Sequence, residues 1–150
     1  MYKRQAIIEG LSTVAQKIPV ILPLHPRTKA VLERSGLLSL ASEFMTLVEP
    51  LGYLDMVQLE KYAALIATDS GGVQKEAFFH HVPCVTLRDE TEWTELLHSG
   101  WNCLAPPLSS AVVRDTVHAM LGVHGEDIQP YGDGSAAQHV VNRLVKDLCV

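Results

Sequence analysis

The chain has 150 residues, 47% of them hydrophobic, which suits a single domain with one respectable core. Its net charge of -5, with no cluster of Lys or Arg, argues against a nucleic-acid surface, so any anion it holds is held by local geometry. No apolar run approaches the roughly 20 residues of a membrane span and no signal-peptide pattern is visible, so a cytoplasmic protein without membrane contact is expected.

Residues 1–5 read as a foreign or truncated start before a helix already in progress. Ile7, Ile8, Leu11, Val14 and Ala15 then recur at helical spacing over residues 6–17. Residues 19–24 form a short, continuously apolar run, typical of a strand covered on both faces. A helix is expected over 28–38 and a strand over 45–50, stopping at Pro50. Residues 54–64 read as helix, 64–68 as strand, 72–80 as helix and 83–87 as strand. A helix over 91–99 with Thr91 as its N-cap, a strand over 101–105 and a helix over 109–121 follow. The last helix spans 135–148, with Ser135 and Gln138 matching an S-x-x-Q capping box. Just before it, "GDGSAA" (residues 132–137) has G-x-G-x-x-A spacing but follows no strand, so the capping role is preferred.

Short apolar strands alternating with amphipathic helices imply βαβ units, hence an α/β domain with a mainly parallel sheet. Right-handed crossovers place every strand's C-terminal end on one edge, where ligands of open α/β sheets bind. That edge collects His25-Pro26-Arg27, Pro50-Leu51-Gly52-Tyr53, Asp69-Ser70-Gly71-Gly72 and Arg88-Asp89-Glu90-Thr91-Glu92.

Asp69-Ser70-Gly71-Gly72 leads from a strand directly into a helix, exposing unpaired N–H groups at the positive end of the helix dipole. Gly71 and Gly72 lack a Cβ and let a phosphate approach closely, while Ser70 adds a hydroxyl donor. The same residues also fit a plain tight turn with Asp69 or Ser70 as N-cap. Glu76 lies about one turn (~5.4 Å) beyond Gly72 on the same helix face. A carboxylate there can accept both hydroxyls of a ribose whose phosphates rest on the helix start; it also fits a solvated Glu beside Lys75. His25 suits a phosphate donor or an acid/base, and equally a capping histidine. His80 and His81 end a helix, where a structural role is expected. Arg88 suits a diphosphate or carboxylate partner, whereas most of the acids after it read as a charged first helical turn. Cys84, Cys103 and Cys149 are scattered and odd in number, and read as reduced thiols.

Five ordered stretches, "PLHPRT" (23–28), "EPLGYLDMVQL" (49–59), "TDSGGVQKEA" (68–77), "PCVTLRDETEWTE" (83–95) and "PYGDGSAA" (130–137), together resemble the C-terminal half of the non-hydrolysing UDP-N-acetylglucosamine 2-epimerases. The resemblance implies the Rossmann-like C-terminal domain of a GT-B fold, with a parallel sheet flanked by helices. It also implies a UDP site. Ser70, Gly71 and Gly72 would hold the diphosphate, Glu76 the ribose hydroxyls, and the Leu51-Gly52-Tyr53 loop would cover the uracil. His25 would lie by the phosphates and the reacting sugar as the catalytic residue, with Arg88 and Glu92 lining the same cleft. The implied reaction interconverts UDP-GlcNAc and UDP-ManNAc by eliminating UDP and adding it back to the other face, without metal or cofactor.

Two departures bear on this. Many relatives read "TERPE" where this chain has Thr91-Glu92-Trp93-Thr94-Glu95, a variant that resembles a subgroup acting on modified sugars such as a diacetamido uronic acid. Lys75 stands where an acid is commoner and reads as a surface change. The resemblance places the sugar-side carboxylates in an N-terminal domain, which is expected to be absent from this chain. The fragment is therefore expected to be silent alone, with that domain as its partner and a homodimer open to the full-length enzyme. Alternatives are the donor domain of a GT-B glycosyltransferase and a non-catalytic UDP-sugar-binding module.

Overall fold

The structure is a computed structural model describing residues 2–148, so Cys149 lies outside the described residues. Its elements in chain order are α1 (Tyr2–Ala15), β1 (Ile21–Pro23), α2 (Pro26–Arg34), α3 (Leu37–Phe44) and β2 (Thr46–Val48). Then come α4 (Tyr53–Tyr62), β3 (Ile66–Thr68), α5 (Gly71–Phe79), β4 (Cys84–Thr86) and α6 (Thr94–His98), followed by β5 (Asn102–Leu104), α7 (Ser110–Met120) and α8 (Ala136–Leu148). Every apolar run expected as a strand forms one, and all pairings are parallel.

The pairing falls into two ladders, β1-β2 and β3-β4-β5. With only three residues per strand, each ladder has few bonds, so a small separation between neighbours ends it. One apolar core nevertheless joins the two. Ile8, Leu11 and Val14 of α1 and Val113, Val117 and Met120 of α7 pack with Leu24, Leu32, Met45, Val85 and Ala105. β4 is central, with all three residues buried. Burying side chains such as Val85 or Val113 contributes about 1.5–3 kcal/mol each.

Three local expectations are corrected. The helix over 28–38 is two helices, because Gly36 adopts φ 72° and turns the chain between α2 and α3. Thr91 does not cap α6. That helix starts later, with Trp93 at its N-cap and no side-chain cap bond, while the Thr91 hydroxyl accepts from Trp93 N at 3.2 Å. The capping box at Ser135 does not form, because Gln138 Nε2 reaches forward to Asn142 Oδ1 at 2.9 Å and Asp133 accepts from Ser135 N at 2.9 Å. His80 and His81 close α5 as expected. His81 takes the left-handed conformation (φ 56°), and Val82 N bonds back to Ala77 O at 2.9 Å.

The last helix, α8, is amphipathic, yet Val140, Val141, Leu144, Val145 and Leu148 are all more than half exposed. Among the described residues, no helix is long and apolar enough to cross a membrane.

Candidate functional site

The turn from β3 into α5 is built by short polar contacts. Thr68 Oγ1 accepts from Ser70 N at 3.0 Å, and Ser70 is the N-cap of α5, its hydroxyl accepting from Val73 N at 3.5 Å. The N–H groups of Gly71 and Gly72 belong to the first turn, which has no intrahelical acceptor. A Cβ on Gly71 would displace the Glu92 carboxylate and lie 3.2 Å from Trp93 Nε1, so glycine is what lets these two side chains pack on the turn. Around Gly72 the nearest atom to such a Cβ is Ser70 Oγ at 3.8 Å, which leaves that side open to a ligand.

Behind the turn lies a polar node that sequence reasoning missed. Gln74 is fully buried, and its Nε2 donates to Ser70 O at 3.3 Å. Its Oε1 accepts from Thr91 Oγ1 at 2.6 Å and Asn102 Nδ2 at 3.0 Å, and Asn102 Oδ1 accepts from Thr86 Oγ1 at 2.9 Å. This network ties the first turn of α5 to the loop after β4 and to β4 and β5. The available signal was a glutamine four residues after the cap, on the helix face that also carries the buried Ala77 and Phe78.

Trp93 and Lys75 are linked in the same region. Trp93 Nε1 donates to Gly71 O at 2.9 Å. The Lys75 ammonium lies 4.4 Å from the Trp93 ring centroid and 4.2 Å from that of Tyr131, so it is an aromatic-caged cation rather than a surface change. Tyr131 donates to Glu95 Oε1 at 2.6 Å, which lowers the Glu95 carboxyl; burial and that bond together raise the Tyr131 phenol. Lys75→Ala is expected to cost about 1–2 kcal/mol, lowering the melting midpoint by about 2–8 °C for a chain of this size. A thermal melt followed by tryptophan fluorescence checks it, and an unchanged midpoint counts against the cage.

The other expected site residues divide between the two ladders. Arg88 Nη1 pairs with Glu92 Oε2 at 3.3 Å, and Glu92 in turn packs on Gly71, so these three meet beside the start of α5. The Arg88–Glu92 pair is substantially exposed and contributes little to stability, which leaves the guanidinium free to exchange partners. Glu76 is half-buried one turn into α5. His25 stands at the end of β1 as the N-cap of α2, its Nδ1 accepting from Arg27 N at 3.2 Å. That is the capping role, and it also fixes the neutral tautomer with hydrogen on Nε2, an exposed donor at the sheet edge. Leu51 and Gly52 follow β2, and Gly52 is the N-cap of α4, whose first residue Tyr53 is 72% exposed.

A second missed residue is Glu60, buried on α4 with no hydrogen-bond partner among the described residues for either carboxylate oxygen. Burial, and then the charge of Glu76, push its carboxyl up to about 7. Burial likewise pushes the Cys84 thiol up to about 12 and raises that of Cys103, so neither is an activated nucleophile. A cavity of about 310 Å³ lies by Arg4, Val31 and Arg34, and one of about 260 Å³ by Leu24, Lys29 and Glu49, beside the ends of β1 and β2. The α5 turn itself is an open edge.

The profile of the UDP-N-acetylglucosamine 2-epimerase family matches residues 2–145. The chain belongs to that family. It is 42% identical over 142 residues to the UDP-2,3-diacetamido-2,3-dideoxy-D-glucuronate 2-epimerase of Pseudomonas aeruginosa, an alignment covering 94% of this chain and 39% of that protein. Against the UDP-N-acetylglucosamine 2-epimerase of Methanococcus maripaludis it is 37% identical over 140 residues, covering 91% of this chain and 38% of the relative. The structure matches UDP-GlcNAc 2-epimerase from Methanocaldococcus jannaschii with a TM-score of 0.85 at 35% identity, covering 97% of this chain and 41% of that one. The match to the same enzyme in complex with UDP-GlcNAc and UDP has a TM-score of 0.83. The chain thus spans about two-fifths of the length of the curated relatives it matches. Its parallel α/β architecture is the Rossmann-like C-terminal half of the family's GT-B fold.

Proposed function

We propose that this chain is the nucleotide-binding half of a UDP-sugar 2-epimerase, an isomerase that eliminates UDP from the sugar and returns it to the opposite face. The observation that carries the reading is the start of α5, where a serine-capped turn opens the backbone N–H groups of Gly71 and Gly72, with Glu76 one turn further on. A diphosphate placed there meets the positive end of a nine-residue helix. The Glu76 carboxylate accepts the two ribose hydroxyls, and Leu51, Gly52 and Tyr53 close over the uracil.

The chemistry asked of this half is to stabilise charge that develops on departing UDP. Preorganised donors do this best, because they need no rearrangement as the bond breaks. The first-turn N–H groups of α5 supply fixed donors, and the Nε2–H of His25 supplies another from the edge of β1. Arg88 adds a cation by leaving Glu92 for the diphosphate. The remainder of the enzyme, with its sugar-side carboxylates, is the proposed partner for turnover. The relative from Pseudomonas aeruginosa and the Trp93-Thr94 variant favour a diacetamido uronic acid sugar over plain GlcNAc.

The test is calorimetric titration of UDP into the wild-type chain and into Glu76→Ala. Removing a charge-assisted ribose contact is expected to cost about 1.5–3 kcal/mol, roughly 10- to 150-fold in Kd. Equal affinities would sink the ribose assignment.

A further inference from the structure

Glu60 sits near the C-terminal end of α4 and is 2% exposed, with both carboxylate oxygens unpartnered among the described residues. A carboxylate without donors is costly to bury charged, so such a group keeps a proton instead. α5 is the helix packed against α4, and the titratable group that bears on Glu60 from it is Glu76. On α4 itself, Asp55 and Lys61 point to solvent. Glu60 and Glu76 therefore form an unequal pair across the α4–α5 contact. One is half-open where the nucleoside is expected, and the other is sealed away from water.

We propose that Glu60 is a positioning residue for the nucleoside site: as a neutral acid behind Glu76 it leaves one carboxylate facing the ribose, and its ionisation weakens nucleotide binding. This rests on the reading that Glu76 takes the ribose hydroxyls. The physical reason is that two like charges in one partly dry contact disfavour each other. A charged Glu60 repels the Glu76 carboxylate, and it adds negative potential near the diphosphate seat at the start of α5. Neutral Glu60 does neither. Binding that prefers the protonated form must by reciprocity hold the proton more tightly, so the ligand moves the Glu60 titration upward.

The experiment measures UDP-GlcNAc affinity between about pH 5.5 and 8.5 for wild type, Glu60→Gln and Glu76→Ala, a window in which this ligand's diphosphate diester carries constant charge. Wild-type affinity is expected to fall about tenfold more than that of Glu60→Gln, the neutral isostere, on passing pH 7. Histidine contributions are common to both proteins and drop out of the comparison. Parallel profiles overturn the proposal. If Glu76→Ala binds as tightly as wild type, the ribose reading fails first. If Glu76→Ala binds weakly while the other two profiles run parallel, only the role of Glu60 fails. As a second measurement on unmutated protein, carbon NMR of the Glu60 carboxyl should show its midpoint rising by about one pH unit with saturating UDP-GlcNAc, the equivalent of tenfold in affinity. An unmoved midpoint overturns the proposal without any variant.

Discussion

Replacing Gln74 with methionine is expected to cost about 1–3 kcal/mol of stability, although the two side chains are close in volume. The loss comes from the groups left behind. Thr91 Oγ1 and Asn102 Nδ2 both donate to Gln74 Oε1, at 2.6 and 3.0 Å, and the Ser70 carbonyl accepts from its Nε2 at 3.3 Å. Asn102 is buried, so water cannot take over its bond, and an unpaired buried polar group costs about 1–3 kcal/mol; the Thr91 hydroxyl is only part-buried, and the Ser70 carbonyl keeps the Gln74 backbone N–H at 3.2 Å. Urea denaturation checks this, with a lower midpoint at unchanged slope as the expected result. A loss under about 1 kcal/mol would mean that the node is not a closed network. Because it holds the Ser70 carbonyl, the same variant should also bind UDP more weakly at a pH and temperature where it is fully folded.

Stability is expected to depend on pH through Glu60, and in the opposite direction from a salt-bridged carboxylate. Burial first, and the Glu76 charge second, raise its carboxyl from an ordinary 4.5 to about 7. Below about 4.5 the group is protonated in both folded and unfolded chains and imposes no penalty. Between those values the unfolded chain releases the proton and the folded chain keeps it, so stability falls as pH rises and levels off above about 7. At about 1.4 kcal/mol per tenfold in proton concentration, the full penalty is about 3 kcal/mol. Glu60→Gln removes the titration. Its stability relative to wild type should therefore rise by about that amount between pH 4.5 and 7 and stay constant beyond, in urea titrations at several pH values. A constant difference across the range would show that Glu60 is charged in the folded chain.

What was legible in the sequence was local. Residues 19–24, 64–68 and 83–87 are too short and too uniformly apolar for amphipathic helices, and each contains a strand. The glycines after Ser70 marked the turn because strand, small residues and helix are adjacent in the chain. What escaped was the set of partners brought from afar. Gln74 meets Thr91 and Asn102 across separations of 17 and 28 residues, and nothing in a helix pattern names those partners. Lys75 looked like a surface cation because its rings, Trp93 and Tyr131, come from two other segments. Gly36 was a local signal passed over: a glycine able to take φ 72° inside an apolar periodic run can end one helix and start another.

The exposed stripe of α8 has a consequence for amide exchange. Among the described residues this 13-residue helix has no buried side chain, and it is held by its own hydrogen bonds and by side-chain pairs such as Gln138–Asn142 and Arg143–Asp147. Helices of that length are marginal alone in water. Its backbone therefore opens at a small fraction of the free energy needed to open β4, which unfolds only with the whole core. Two grades of order are expected: a protected set of strands and helices around Val85, and a last helix whose amide hydrogens exchange far faster.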